Sequence, residues 1–203
     1  MENYIVINGV TYDLVERAEE GNPPGSDLVA GTKLRDVAVK DTFKIGKHEF
    51  VVLEHSGDTT AVILKELLEK NFVFGENNNY EGSSVEKACD RFGVEIAEII
   101  GAENMVEHTV DLTADDGLKD YGKVKRRMSL LTADLYRRYV EILDQHKVDA
   151  WWWSATPHST ARHENDRWVK CVAPSGDISI DYFYNVAGVR PFCILKSNIF
   201  VSM

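Results

Sequence analysis

Three consecutive tryptophans, Trp151, Trp152 and Trp153, constrain the fold of this chain more than any other feature of its sequence. Side chains alternate between the two faces of a β-strand, so three adjacent indoles cannot all lie on one side. We expect Trp152 on one face and Trp151 and Trp153 on the other, with at least one of the three in the core. The segment therefore predicts a strand with a buried face.

Short strands separated by turns continue from Ala150 to the C-terminus. Alternating apolar residues predict strands over residues 151–153, 167–173, 178–184 and 188–195. Further upstream, residues 43–64 have the pattern of a β-meander, with turns at Gly46-Lys47 and at Ser56-Gly57-Asp58. The asparagines at 77–79 indicate a surface loop.

Two helices are predicted. The first begins at Ser83, where Glu86 completes a capping box, and ends at Gly101. The second begins near Thr132. Their apolar faces consist of Val85, Ala88, Cys89, Phe92, Ile96, Ile99 and Ile100 in the first, and of Leu135, Tyr136, Tyr139, Val140 and Leu143 in the second. Two helices with mostly antiparallel strands predict the α+β fold class.

The N-terminal region is predicted to form a separate appendage. Strand patterns at residues 4–7 and 12–15 flank Asn8-Gly9, which is typical of a hairpin with a type I′ turn. Residues 19–31 are polar and contain two prolines and three glycines, as a linker does. We therefore expect a hairpin and linker over residues 1–31 and a main domain over residues 32–203.

Charge and hydropathy exclude two classes of partner. The chain has 23 basic and 33 acidic residues and a net charge of -10, which opposes binding to a nucleic-acid backbone. It has no apolar run near the roughly 20 residues needed to cross a bilayer, so we expect no membrane insertion. The first residues lack a basic region followed by an apolar core, so we expect no signal peptide.

A catalytic centre is not indicated, because the chain has no nucleophile elbow, glycine-rich phosphate loop or paired-carboxylate motif. His158 and His163 lie near Glu164 and Asp166, but their spacing does not favour zinc. Calcium is a better candidate, and it would be bound by Asn165, Asp166, Asp177 and Asp181. We expect Asp111, Asp115 and Asp116 to belong to a plain surface loop.

The three cysteines, Cys89, Cys171 and Cys193, form neither a disulfide framework nor a zinc motif. A reduced state is the default, and a bridge between Cys171 and Cys193 remains open.

Polar and aromatic residues between the predicted C-terminal strands are the candidate binding site. Tyrosines supply large contact area at a small entropic cost, and polar side chains supply adaptable hydrogen bonds. The candidates are His158, Ser159, Arg162, His163, Asn165, Asp166, Asp181, Tyr182, Phe183, Tyr184 and Asn185. The aromatic residues 182–184 would be the anchors. The alternative is that these three are ordinary strand residues with high β propensity.

Several motifs resemble a domain family of uncharacterised function that is common in bacterial and phage proteins. They are Trp-Trp-Trp-Ser-Ala-Thr-Pro at 151–157, the turn Pro174-Ser175-Gly176, and Gly188-Val189-Arg190-Pro191. The similarity extends upstream through segments 41–67, 77–80 and 123–139 and covers roughly residues 36–196. The chain departs from the family pattern at 153–156, where its Leu-Arg-Ser is missing.

That family looks like the formylglycine-generating-enzyme branch of the C-type-lectin fold, and like the variable proteins of diversity-generating retroelements. The resemblance implies a C-type-lectin-like domain in which Arg190 is structural, residues 188–195 are a fixed framework, and surface positions between Trp153 and Asn185 are diversified. Cys171 and Cys193 do not reproduce the cysteine pair of the enzyme, so the resemblance implies its scaffold and not its oxidase activity.

The function that follows is recognition of a protein or glycan on a host cell surface by a phage virion component. Assembly in the host cytoplasm fits the expected lack of a signal peptide, and the N-terminal hairpin would attach to other virion proteins. Two alternatives remain open: a ligand-free structural or decoration protein of the virion, and an enzyme of the formylglycine-generating type.

Overall fold

The computed structural model describes residues 31–203, together with the backbone of strands β1 (Tyr4–Ile7) and β2 (Val10–Asp13). The chain divides into two units, Met1–Ala30 and Gly31–Met203. Strands β1 and β2 pair antiparallel with Ile7 opposite Val10, so the second strand begins two residues before the predicted start at residue 12. The predicted turn at Asn8-Gly9 lies outside the described residues. The predicted linker falls almost entirely outside the described residues.

The second unit is an α+β fold with mostly antiparallel strands, which confirms the predicted class. Among the described strands the pairing of β12 with β15 is the one parallel contact. The elements are β3 (Thr32–Lys33), β4 (Thr42–Ile45), β5 (His48–Ser56), β6 (Thr59–Leu64), β7 (Glu69–Val73), α1 (Ser84–Ile100), β8 (Met105–Val106), β9 (His108–Asp111), β10 (Lys123–Arg126), β11 (Met128–Leu130), α2 (Ala133–Arg138), α3 (Val140–Leu143), β12 (Trp152–Pro157), β13 (Trp168–Val172), β14 (Ile178–Tyr182), β15 (Val186–Val189), β16 (Pro191–Lys196) and β17 (Phe200–Val201).

Two sheets contain most of the strands. In the larger sheet the order is β11-β16-β6-β5-β4, and β8 also pairs with β16. Its β4–β6 part is the predicted meander, with tight turns that leave Ile45 opposite His48 and Ser56 opposite Thr59. Gly46 and Gly57 have φ of 57° and 58°, the left-handed region that these turns require. The smaller sheet has the order β14-β13-β12-β15-β7.

The tryptophans fill the core on both faces of β12. Trp152 lies against Tyr136 in one apolar cluster, and Trp153 lies against Phe74 in another, as the alternation predicts. Trp151 precedes the strand and is 45% exposed. The predicted strand over 151–153 is too short, because β12 continues through Pro157 with every residue buried.

The predicted single strand over residues 188–195 is wrong. The segment divides at Arg190 into β15 of the smaller sheet and β16 of the larger one. Pro191 has no N–H to donate to a ladder and so occupies the first position of β16. The Arg190 guanidinium lies between the sheets and donates to the carbonyl oxygens of Leu64, Lys65 and His146 at 2.8–3.0 Å. The structural role expected for Arg190 is confirmed.

The helices begin at the predicted caps. Ser83 Oγ accepts from the N–H of Glu86 at 3.1 Å, and Thr132 Oγ1 accepts from the N–H of Leu135 at 3.2 Å. Ile99 was expected in the core, but it is 50% exposed at the end of α1. The predicted second helix breaks at Tyr139 into α2 and α3. None of the helices in residues 31–203 has the length and apolarity that a membrane crossing needs.

Candidate recognition surface

Two loops meet at the end of β12. The polar loop (residues 158–167) follows β12 and contains six of the predicted contact residues. The acidic loop (residues 112–122) joins β9 to β10 and contains Asp115, Asp116 and Asp120. The N–H of Asp115 donates to the carbonyl oxygen of Pro157 at 2.9 Å, which fixes the acidic loop against the end of β12.

Carboxylates of the acidic loop hold side chains of the polar loop. Asp116 accepts from Ser159 Oγ at 2.5 Å and lies 3.0 Å from His163 Nδ1. Asp120 accepts from Thr160 Oγ1 at 2.6 Å and forms an ion pair with Arg162. Ser159 is buried, whereas Arg162 and His163 are exposed. The predicted contact residues at 159, 162 and 163 therefore share one internal network.

Asp115 joins this network to the neighbouring strand and helix. It lies 3.0 Å from Lys170 of β13 and 3.0 Å from Arg137 of α2. Burial by itself raises the pKa of Asp115, but the two cations outweigh burial and hold that pKa below its usual value. His158 Nδ1 is buried without a hydrogen-bond partner, 4.0 Å from an Asp115 oxygen. We expected this segment to be a plain loop, but it anchors the polar loop.

Acid should weaken this network. The pKa of Asp116 is also lowered, since hydrogen bonds from Ser159, Leu118 and His163 outweigh burial. A carboxyl group whose pKa is lower in the folded chain stabilises the fold above its unfolded pKa of about 3.9 and loses that contribution as pH falls through the folded value. We expect the free energy of unfolding to fall between about pH 5 and pH 2.

Urea unfolding at several pH values would measure the free energy of unfolding of the wild type and of the double variant Asp115→Asn, Asp116→Asn. The variant should be less stable at pH 7 and should lose less of its stability on acidification. Asp111, whose pKa Lys123 lowers to about 2, titrates in both proteins. Equal losses in the two proteins would show that the acidic loop does not carry the effect.

Asn78 connects the polar loop to the core. It is fully buried, although the sequence predicted a surface loop over 77–79. Its Nδ2 donates to the carbonyl oxygens of Ser159 and Trp168 at 2.9 and 3.0 Å, and its Oδ1 accepts from the Tyr121 hydroxyl at 2.7 Å. One side chain therefore fixes both ends of the polar loop and the acidic loop.

An aromatic stack, defined as Trp168, Tyr182 and Tyr184, lies beside the polar loop. Trp168 and Tyr182 are opposite each other on β13 and β14, with ring centroids 3.6 Å apart. Tyr184 stacks on Tyr182 at 4.9 Å and is 54% exposed. The rings thus extend from a paired strand to solvent.

The remaining candidates surround this stack. Phe183 packs partly against the core, and its ring meets Tyr184 edge-on. Asp181 accepts from Asn185 Nδ2 at 2.7 Å, which closes the turn after β14. Asn165 and Asp166 are half-buried near the end of the polar loop. Asp181 and Tyr182 are neighbours on β14 and point to opposite faces, so the predicted residues do not all lie on one side of the β13–β14 hairpin.

The predicted calcium ligands do not form one group. Asp177 directly precedes β14 and Asp181 lies within it, so the extended backbone separates their Cα atoms by about 13 Å, too far for a shared ion. In residues 31–203, no three His, Cys, Asp or Glu side chains are placed to hold a metal.

The three cysteines are free and buried, with no bridge between Cys171 and Cys193. Burial raises the pKa of Cys171 to about 12 and raises the pKa of Cys193 even further. These thiols are therefore protonated at neutral pH.

Comparison of the chain with protein-family models, with curated proteins and with solved structures found no match.

Proposed function

We propose that this chain is a non-enzymatic recognition protein with a C-type-lectin-like fold. It binds a protein or glycan on a host cell surface through the polar loop and the aromatic stack. The observation that carries the proposal is the aromatic stack itself, a set of rings held on a paired hairpin and ending in a tyrosine that is 54% exposed.

The stack suits binding because its rings are fixed before a ligand arrives. Tyr184 stacks on Tyr182, which itself lies against Trp168, and this restricts the rotamers of Tyr184, so little side-chain entropy remains to be lost on binding. An exposed tyrosine also offers an apolar face and a hydroxyl group to a ligand. Such pre-ordered aromatic anchors carry much of the free energy of protein interfaces.

The polar loop supplies the adaptable contacts. Arg162 and His163 are exposed, and each has one anchoring carboxylate below it. Ser159 is buried, so its part in recognition is to hold the loop in place.

The C-type-lectin-like assignment is supported by the segment over residues 186–196. It crosses from the smaller to the larger sheet at Arg190, and the residues at this crossing are buried. A fixed framework of this kind below exposed loops is what a diversified binding protein needs, and we place the diversified positions between 153 and 185.

A non-enzymatic role is supported by the thiols. Reaction of a cysteine requires its thiolate, and burial raises the pKa of Cys171 to about 12. We place the protein in a phage virion, attached to other virion proteins by its N-terminal hairpin. Bound calcium remains a proposal, which a thermal-shift scan with calcium and with EDTA would test.

Tyr184→Ala should reduce binding of the labelled full chain to intact bacterial cells by tenfold or more. Truncation of a central aromatic anchor removes about 2 kcal/mol or more of binding free energy. The melting temperature should change by less than about 2 °C, since substitutions at exposed positions rarely alter stability by more than 0.5 kcal/mol. Flow cytometry of the labelled protein on a panel of host strains would measure binding.

Trp151→Ala is the matched control. Trp151 is an exposed aromatic residue that directly precedes β12, at the opposite end of that strand from the polar loop. It should retain wild-type binding. If the wild-type protein binds none of the strains, the ligand-free structural alternative takes the place of recognition.

A further inference from the structure

Strand β14 is an edge of the smaller sheet and pairs only with β13 among the described residues. Two hydrogen bonds at the ends of this strand pair show which residues bond across it. Phe183 N–H donates to Arg167 O at 3.0 Å, and Ala173 N–H donates to Asp177 O at 2.9 Å. Since the pattern alternates along an antiparallel ladder, Ile178 and Ile180 direct their N–H and C=O groups away from β13.

On the outward edge of β14, the backbone groups of Tyr182 are hydrogen-bonded and those of the two isoleucines are not. The N–H of Tyr182 donates to Asp181 Oδ1 at 2.8 Å, and the carbonyl oxygen of Tyr182 accepts from Asn185 N–H at 2.9 Å. In residues 31–203, the N–H and C=O groups of Ile178 and Ile180 have no partner. They form a short template to which another strand can pair.

Charge disfavours pairing of this edge with itself. In the symmetric antiparallel register that uses all the open groups, Ile178 would face Ile180 of a second copy. The alternation of β14 would then place Asp177 opposite Asp181 of the other copy at both ends of the contact. Like charges directly opposite each other destabilise a strand pair.

The same two carboxylates favour a basic partner. Asp177 and Asp181 lie on one face of β14 with Ser179 between them, and neither forms an ion pair in the described residues. Asp177 accepts a hydrogen bond from Ser175 and Asp181 accepts one from Asn185, which orients both carboxylates without neutralising them. A strand with basic residues four positions apart would place a cation opposite each.

We propose that the free edge of β14 binds an extended segment of a partner protein, with basic residues at two positions four apart and apolar residues flanking the position midway between them. The apolar residues would lie opposite Ile178 and Ile180, and the end of the segment would reach the aromatic stack at Tyr182. This inference rests on the proposed function, because it names the class of partner for the same surface.

The probe is the capped peptide Thr-Lys-Val-Thr-Val-Lys-Thr, and the control replaces both lysines with glutamate. Amide hydrogen exchange of the full chain, read residue by residue by NMR, is the measurement. The basic peptide should slow exchange at Ile178 and Ile180 by tenfold or more, and the acidic peptide should not. No slowing at saturating peptide, or equal slowing by both peptides, overturns the inference.

Ile180→Pro tests the backbone contact. Proline is tolerated on an edge strand where the lost N–H points outward, as at this position. This variant should bind the basic peptide at least tenfold more weakly than Ile180→Ala, which keeps the N–H. Equal affinities overturn the inference, and the exchange experiment on the wild type decides it if the proline variant does not fold.

The two proposals fail in different ways. If Ile180→Pro binds cells as the wild type does while Tyr184→Ala does not, the edge inference is wrong and recognition by the aromatic stack stands. If the wild type binds the peptide but no cells, the edge inference stands and the proposed recognition of a cell surface is wrong.

Discussion

Replacing Arg190 with methionine should lower the free energy of unfolding by about 4 kcal/mol, because it leaves three carbonyl groups in and around the core without their donor. Arg190 is only 1% exposed, and its guanidinium donates to Leu64, Lys65 and His146 and lies 5.4 Å from the Trp152 ring centroid. Methionine fills a similar volume, so the loss would report the hydrogen bonds more than a cavity.

Burial lowers the pKa of Arg190 to about 10, which shows how strongly its surroundings disfavour the charge. The side chain still remains charged at neutral pH, and its donors satisfy backbone oxygens that no substitution can remove. Replacing a buried charged residue with an apolar one preserves the stability of the fold only where its hydrogen-bonding partners are replaced as well. Arg190→Lys should therefore also destabilise the fold, since a single ammonium cannot span all three carbonyl oxygens in the planar arrangement of a guanidinium.

Thermal unfolding would test the predicted destabilisation by Arg190→Met. For a unit of this size, about 4 kcal/mol corresponds to a decrease in melting temperature of roughly 8–16 °C. Arg91→Met is the matched control, because Arg91 is an exposed arginine of α1, and its variant should melt within about 2 °C of the wild type. A similar melting temperature for Arg190→Met would mean that the guanidinium does not join the two sheets.

Local signals in the sequence predicted the local structure. Gly46-Lys47 and Ser56-Gly57-Asp58 each predicted a tight turn, and each lies where two paired strands of the meander are joined. Ser83 and Thr132 predicted the helix starts, because a cap depends on residues only three positions apart. These features need no knowledge of the rest of the chain.

Contacts between distant segments were not predictable from one sequence. The apolar pattern over 188–195 indicates a strand but not the sheet that the strand joins. In the structure, this segment divides at Arg190 into two strands of different sheets. Asn78 lies 81 residues from Ser159, so its pairing left no trace in the local pattern. The sequence predicts only a plain surface loop at Asp115 and Asp116, because the partners of the acidic loop lie in the polar loop some 40 residues later.

These distant contacts hold the polar loop in place. The polar loop has few apolar side chains of its own, and instead it is held by Asn78 at both ends and by Asp116 and Asp120 along its length. Loss of a single anchor should loosen the loop without unfolding the sheets. Recognition is therefore sensitive to residues that never touch a ligand.

Asn78→Ala should lower the free energy of unfolding by about 3 kcal/mol and also weaken binding to cells, because it leaves the Ser159 carbonyl group and the Tyr121 hydroxyl group without a partner and leaves the Trp168 carbonyl group with the His158 N–H alone. Asn78→Asp should be at least as damaging at neutral pH, since it directs a negative charge at the carbonyl oxygens of Ser159 and Trp168. Urea unfolding followed by tryptophan fluorescence would measure the first effect. Flow cytometry at a temperature where the variant stays folded would measure the second.

Asn77→Ala provides the comparison, because Asn77 is an exposed neighbour that accepts one hydrogen bond, from the N–H of Asn79. It should change the free energy of unfolding by less than about 1 kcal/mol and leave binding intact. If Asn78→Ala weakens the fold but not the binding, the polar loop does not take part in recognition and the aromatic stack alone carries it. If Asn78→Ala behaves like Asn77→Ala in both measurements, the polar loop is held by the acidic loop alone.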